Sequence, residues 1–163
     1  MNYIGIDPGL TGAVAWIMET GAVYTMSLPV MSNVKAAEKG RKRTHINPRE
    51  LATMLLRFPP APYQVFLEYT QAGMKGALAN YSLGHSSGII MGVLSALGFS
   101  YEMVRPQEWK KEFGLIKMQK DASRTMAQQL FPSVNLARKK DEGRAEALLI
   151  AEWGRRQRTR VID

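Results

Sequence analysis

The chain has 163 residues, with 22 Lys and Arg against 14 Asp and Glu, two His and no Cys, for a net charge of +8. That length suits a single domain, residues 1–163, whose core needs no disulfide or structural metal, and a chain with only His45 and His85 and no thiol is poorly equipped for zinc or iron. With no apolar run of spanning length and no charged-then-apolar leader, a soluble cytoplasmic protein without a membrane partner is expected, and the positive balance favours a polyanion.

In chain order, Asn2-Tyr3-Ile4-Gly5-Ile6 is a β-prone run closed by Asp7-Pro8-Gly9, residues that stop a strand and allow a tight turn. Ala13–Met18 and Ala22–Met26 flank Glu19-Thr20-Gly21, a hairpin signal with Gly placed for a positive φ, so a three-stranded meander is predicted. Residues 29–46 mix Pro, Ser, Asn, Gly and charge without apolar periodicity and read as a long mobile loop, whose Lys35, Lys39, Arg41, Lys42 and Arg43 are DNA-contact candidates. Asn47-Pro48-Arg49-Glu50 carries the N-cap, first-turn Pro and third-position Glu of a helix start; Leu51, Met54, Leu55 and Phe58 form its apolar stripe, and Pro59-Pro60 ends it.

Tyr63–Glu68 is a second apolar run that ends in an acid. A helix over about 77–97 follows, in which Gly84, Gly88, Gly92 and Ala96 recur every four residues. Each such Gly costs about 1 kcal/mol relative to Ala, so the bare stripe is expected to admit another backbone, either within the chain or in a second copy. Phe99–Val104 reads as a fifth strand, Arg105–Lys111 as a turn into a short helix, 121–130 as another helix, and a final helix carries Glu142 and Glu146 on one face. The predicted order is βββ, α, β, α, β, α, α.

Asp7, Glu68 and Glu146 each sit at the end of an apolar run, where a folded core would bring all three together and a buried carboxylate needs a partner. An oxygen-only set of this kind suits Mg²⁺, with Mn²⁺ able to substitute. Around it, Arg138-Lys139-Lys140 abuts the last acids and Arg155, Arg156, Arg158 and Arg160 fill the tail. An acidic centre in a basic surround is what a nuclease requires, since the surround binds phosphates while the centre holds ions.

These pieces, in their order and spacing over nearly the whole chain, resemble the RuvC-type Holliday junction resolvases of the RNase H-like superfamily, particularly bacteriophage members. The resemblance rests on Ile4-Gly5-Ile6-Asp7-Pro8-Gly9, Phe66-Leu67-Glu68, Val104-Arg105-Pro106-Gln107-Glu108-Trp109-Lys110-Lys111 and Gly143–Ala151. It implies an α/β fold with a five-stranded mixed sheet, a three-stranded antiparallel meander plus two strands, flanked by helices. It further implies a homodimer that binds a four-way DNA junction and makes paired nicks with two metal ions per site. Asp7, Glu68 and Glu146 match the family's metal ligands. The fourth carboxylate of the family falls on Gly143 or Glu142; Glu142 is preferred, with Asp141 as rival or as a helix N-cap.

By the same resemblance a lysine approaches the scissile phosphate, for which Lys110, Lys111, Lys117 and Lys120 are candidates, and Arg105 and Lys75 join the DNA-binding set. After the second acid the chain departs from the bacterial pattern, leaving Tyr69 or Met74 to wedge between bases. Three alternatives stay open: another RNase H-like nuclease acting on RNA–DNA hybrids or other branched DNA, a junction-binding protein without catalysis, and an actin-like ATPase sharing the Gly5–Gly12 loop pattern, for which 163 residues supply one lobe where two are needed.

Overall fold

A computed structural model describes residues 1–32, 44–58, 61–70, 73, 76–119 and 121–160. Lys35, Lys39, Arg41, Lys42, Arg43, Met74, Lys75 and Lys120 therefore lie outside the described residues. Seven strands and five α-helices occur among them: β1 Asn2–Asp7, β2 Ala13–Ile17, β3 Val23–Ser27, β4 Val30–Ser32, β5 Thr44–Ile46, α1 Pro48–Leu55, β6 Tyr63–Glu68, α2 Ala77–Ala96, β7 Tyr101–Val104, α3 Pro106–Glu112, α4 Ala122–Leu130 and α5 Glu142–Arg160. A short 3₁₀ turn, Lys139–Asp141, leads into α5.

The main sheet has the order β3-β2-β1-β6-β7. β1, β2 and β3 form the antiparallel meander, turning at Gly21 with φ 85°, while β6 adds parallel to β1 and β7 parallel to β6. The register fixes what meets at one edge. Asp7 pairs with Ala13, Ala13 with Ser27, Glu68 with Val104, and Ile6 with Leu67, so Asp7 and Glu68 each stand one residue past a parallel pair on neighbouring strands.

Strand alternation then assigns faces. Ile4, Ile6, Val65 and Leu67 join Leu51, Ile90 and Leu94 in a core under α1 and α2. Phe66 and Val104 join Trp109, Leu148 and Leu149 in a core under α3 and α5. Asp7, in phase with Gly5, and Glu68, in phase with Phe66, consequently belong to the α5 face. Helix α5 comes unusually close to β1 because Gly5 has no Cβ: one built there would collide with the carbonyl of Ala147 and the amide of Ala151.

Several expectations are corrected. Residues 29–46 are not loop throughout, since β4 and β5 pair antiparallel through Val30–Ile46, Met31–His45 and Ser32–Thr44. α1 has its Asn47 cap, whose Oδ1 accepts from the amides of Arg49 and Glu50, but it ends at Leu55, and Phe58 packs beyond it against Trp16 and Tyr24. β7 starts at Tyr101 rather than Phe99, while the short helix expected after the Arg105 turn is present as α3. The stripe on α2 is not packed within the described chain: a Cβ added at Gly84, Gly88 or Gly92 would meet nothing within 4 Å.

Candidate metal centre and its basic rim

The acidic edge is assembled from β1, β6 and the first turns of α5. Asp7 accepts a hydrogen bond from the Gly9 amide at 3.2 Å, so the Pro-Gly turn that ends β1 also orients the carboxylate. Glu68 accepts from the indole N–H of Trp109 at 2.9 Å. Glu146 accepts from the Ser123 hydroxyl at 3.4 Å and lies 3.6 Å from the Lys110 ammonium. Asp7, Thr11, Glu142, Gly143 and Glu146 line one open cleft of ≈ 530 Å³, with Lys139 and Lys140 on its wall.

Gly143 decides how closely these parts approach. A Cβ on it would strike the Thr11 carbonyl, stand 2.8 Å from the Gly12 Cα and 3.1 Å from Asp7 Oδ2. No side chain fits there without moving α5, so on this backbone a fourth carboxylate cannot project from position 143. Glu142, one residue earlier, lines the cleft. Asp141 is placed differently. It is buried, it accepts from the Arg138 amide and guanidinium at 2.9–3.1 Å, and it pairs with Arg144 at 3.1 Å. Those contacts close the turn that starts α5 and hold the carboxyl well below the ordinary carboxylate range, chiefly through the Arg138 hydrogen bonds.

The electrostatics of the cleft run the other way. Burial, then the charges of Glu68 and Glu146, push Asp7 up from 3.8 to about 7 against the opposing pull of the Gly9 amide and Lys110. Burial also raises Glu146, with Glu142 adding to it and Lys110 and Ser123 opposing. Among the described residues no three Asp, Glu or His side chains already converge into a finished cage. The donor set nonetheless fits a hard divalent cation: the oxygens are carboxylate, poorly hydrated and mutually repelling, and a cation would let Asp7 ionise at neutral pH.

The remaining candidates divide by position. Arg105, Lys111 and Lys117 are exposed around α3 and the turn after it, Lys117 with φ 60°. Tyr69, directly after Glu68, is 41% exposed, its amide bonded to the Val104 carbonyl at 2.7 Å. Arg138 is tied to Asp141. The tail arginines do not form a free basic surround: Arg155 and Arg156 pair with Glu152, Arg156 and Arg160 with Glu112, and Arg158 with Glu102. They also sit toward the far end of α5, about 14–21 Å along its axis from Glu146 at 1.5 Å per residue. Two participants escaped the sequence reading, Trp109 and Ser123. An indole flanked by Lys and Glu in a short helix was the available signal for the first; nothing local marks the second.

A mixed sheet of this order, with acids at the shared strand edge and a closing helix that brings two more, defines the RuvC/RNase H-like fold. No family model matches the chain. RuvC of Thermus thermophilus in complex with a Holliday junction substrate aligns with a TM-score of 0.65 and 18% identity over 96% of both chains. A second T. thermophilus RuvC structure gives 0.61 and 20% over 98% of both. By sequence, 81 residues (48% of the chain) are 41% identical to the chloroplastic Holliday junction resolvase MOC1 of Chlamydomonas reinhardtii, of which the match spans 9%. No described helix is long and apolar enough to cross a membrane.

Proposed function

We propose that residues 1–163 form one nuclease domain that resolves four-way DNA junctions by paired, metal-dependent nicks, as a relative of the bacteriophage branch of the RuvC resolvases. The observation that carries it is that Asp7, Glu142 and Glu146 line one cleft, with Glu68 close enough to raise Asp7 and Lys139 and Lys140 on the wall. Support also comes from the likeness in fold to RuvC, seen in complex with a Holliday junction substrate, and from the sequence match to MOC1, a Holliday junction resolvase.

Asp7, Glu68, Glu142 and Glu146 would hold Mg²⁺ or Mn²⁺, two ions per site. Bound there, the ions supply a water activated for attack and charge stabilisation for the leaving oxygen. Lys110 draws near the acids from α3 and, with Lys139 and Lys140, binds the phosphodiester and orients it toward the carboxylate edge. Asp141 serves the site indirectly, by fixing with Arg138 and Arg144 the turn from which Glu142 projects. Tyr69, exposed directly after Glu68, would stack on a displaced base. Paired nicks need two sites, and the open Gly84-Gly88-Gly92 face of α2 is suited to a second copy. A Cβ added at Gly88 meets no described atom within 4 Å, so Gly88→Leu should convert dimer to folded monomer in sedimentation if that face is the interface.

Offering a four-way junction and an RNA–DNA hybrid of matched length to the same protein in Mg²⁺ tests the substrate assignment. Symmetrically placed nicks in two junction strands are expected. Hybrid cleavage with junctions intact would replace this reading by the ribonuclease one, and junction binding without cleavage in either metal would leave a non-catalytic binder.

A further inference from the structure

The contacts around α3 assign Trp109 a task of its own. Its indole is completely buried among Phe113, Leu115, Val104 and the α5 residues, yet its N–H reaches Glu68 Oε1 at 2.9 Å. The pairing is not simply what burial of an indole demands. Trp16 is equally buried, and its N–H has no hydrogen-bond partner among the described residues. Among the described residues, one buried indole N–H thus has no partner while the other is directed at a carboxylate at the sheet edge.

We propose that Trp109 is a positioning residue for Glu68, holding that carboxylate in the orientation in which it meets a divalent cation; this rests on the cation-dependent reading of the acidic edge. The indole is fixed by the core rather than by the acid. Pro106 and the Glu108 side chain, which accepts from the Arg105 amide at 2.8 Å, set the start of α3, and Trp109 and Phe113 anchor it one turn apart. A rigid donor then restrains the Glu68 carboxylate, as outer-shell donors do for metal-binding carboxylates. The next residue, Lys110, lies 5.0 Å from the Trp109 ring centroid and 3.6 Å from Glu146. Consecutive residues of one short helix therefore touch acids from two different elements, β6 and α5, and set their separation.

Mn²⁺ binding by calorimetry, without DNA, on wild type, Glu68→Gln, Trp109→Phe and the double variant tests this. Trp109→Phe keeps the aromatic packing, removes the N–H and is expected to weaken Mn²⁺ binding roughly ten-fold. The double variant should bind no more weakly than Glu68→Gln alone, because a positioning donor is worthless once its carboxylate is gone. Equal losses in both backgrounds would mean general core damage and overturn the proposal. So would wild-type affinity in Trp109→Phe while Glu68→Gln loses it. Unchanged affinity in Glu68→Gln would instead strike the cation reading of Glu68 itself, and the proposal with it.

Should Trp109→Phe fail to fold, the indole ¹⁵N–¹H signals of the wild-type protein decide. The Trp109 signal should shift with Mg²⁺ while that of Trp16 stays fixed, and a Trp109 signal unmoved by saturating Mg²⁺ would overturn the assignment.

Discussion

Replacing Asp7 by Asn should make the metal-free protein more stable at alkaline pH while abolishing cleavage. The carboxyl is raised from 3.8 to about 7, first by burial and then by Glu68 and Glu146. Because the folded value lies above the unfolded one, the folded state holds a proton that the unfolded state has released. The resulting penalty is absent below about pH 4, grows from there to pH 7 and is fully present above it. At 1.36 kcal/mol per pH unit it reaches about 4 kcal/mol, an upper bound. Asn retains an oxygen for the Gly9 amide but still has polar atoms to desolvate, so the net gain expected at pH 8 is about 2–3 kcal/mol. At about 2–4 °C per kcal/mol for a chain of this size, the melting temperature should rise roughly 5–10 °C. The gain should shrink on going to pH 5, and Mg²⁺ should stabilise wild type at pH 8 more than it does the variant. Melts in EDTA at pH 5 and 8 measure this. A variant less stable than wild type at pH 8 would refute the electrostatic account of the cleft.

Other consequences follow from the same geometry. Gly143→Ala gains about 1 kcal/mol of helix propensity but loses about 1–3 to overpacking on the Thr11 carbonyl, and the displaced Glu142 and Glu146 should slow nicking on the order of 100-fold; a variant that cleaves at the wild-type rate would show that α5 does not abut the turn so closely. Asp141→Ala should lower the melting temperature by opening the turn that Arg138 and Arg144 close with it, yet leave Mn²⁺ affinity nearly unchanged, whereas Glu142→Gln should weaken the ion with little effect on melting; calorimetry of the two variants separates the rivals. Since Asp141 is held below its ordinary value, its contribution to stability is present above about pH 4 and declines as pH falls further, the opposite sense to Asp7. Lys139→Ala with Lys140→Ala should lower the salt slope of junction binding by about 1.8, while Arg158→Ala, removed from the cleft and paired with Glu102, should leave it unchanged; binding titrations from low to high salt are the check.

Much of this architecture could be read from the chain because its strands are marked twice, by apolar alternation and by what ends them. Asp7-Pro8-Gly9 stops β1 where Asp7 must stand, and Tyr63–Glu68 ends in its acid for the same reason of pairing register. What escaped was set by distant partners. β4 and β5 are three residues each, too short for alternation to announce them. The tail arginines read as a basic patch because Glu102 and Glu112, the partners of Arg158 and Arg160, lie 56 and 48 residues away. The Trp109–Glu68 bond spans 41 residues and joins a core side chain to a cleft, a relation that only the packed sheet creates. Gly143 was visible as an interruption of the family's acidic spacing, but its cause, the Thr11 carbonyl, belongs to a turn more than 130 residues earlier.

The most direct test is nicking of an end-labelled four-way junction beside linear duplex, in Mg²⁺, in excess EDTA and with Asp7→Asn. Paired nicks in the junction that need Mg²⁺ and vanish in the variant are predicted. Nicking that persists in EDTA, or in Asp7→Asn at the wild-type rate, would contradict a metal centre built on this carboxylate edge.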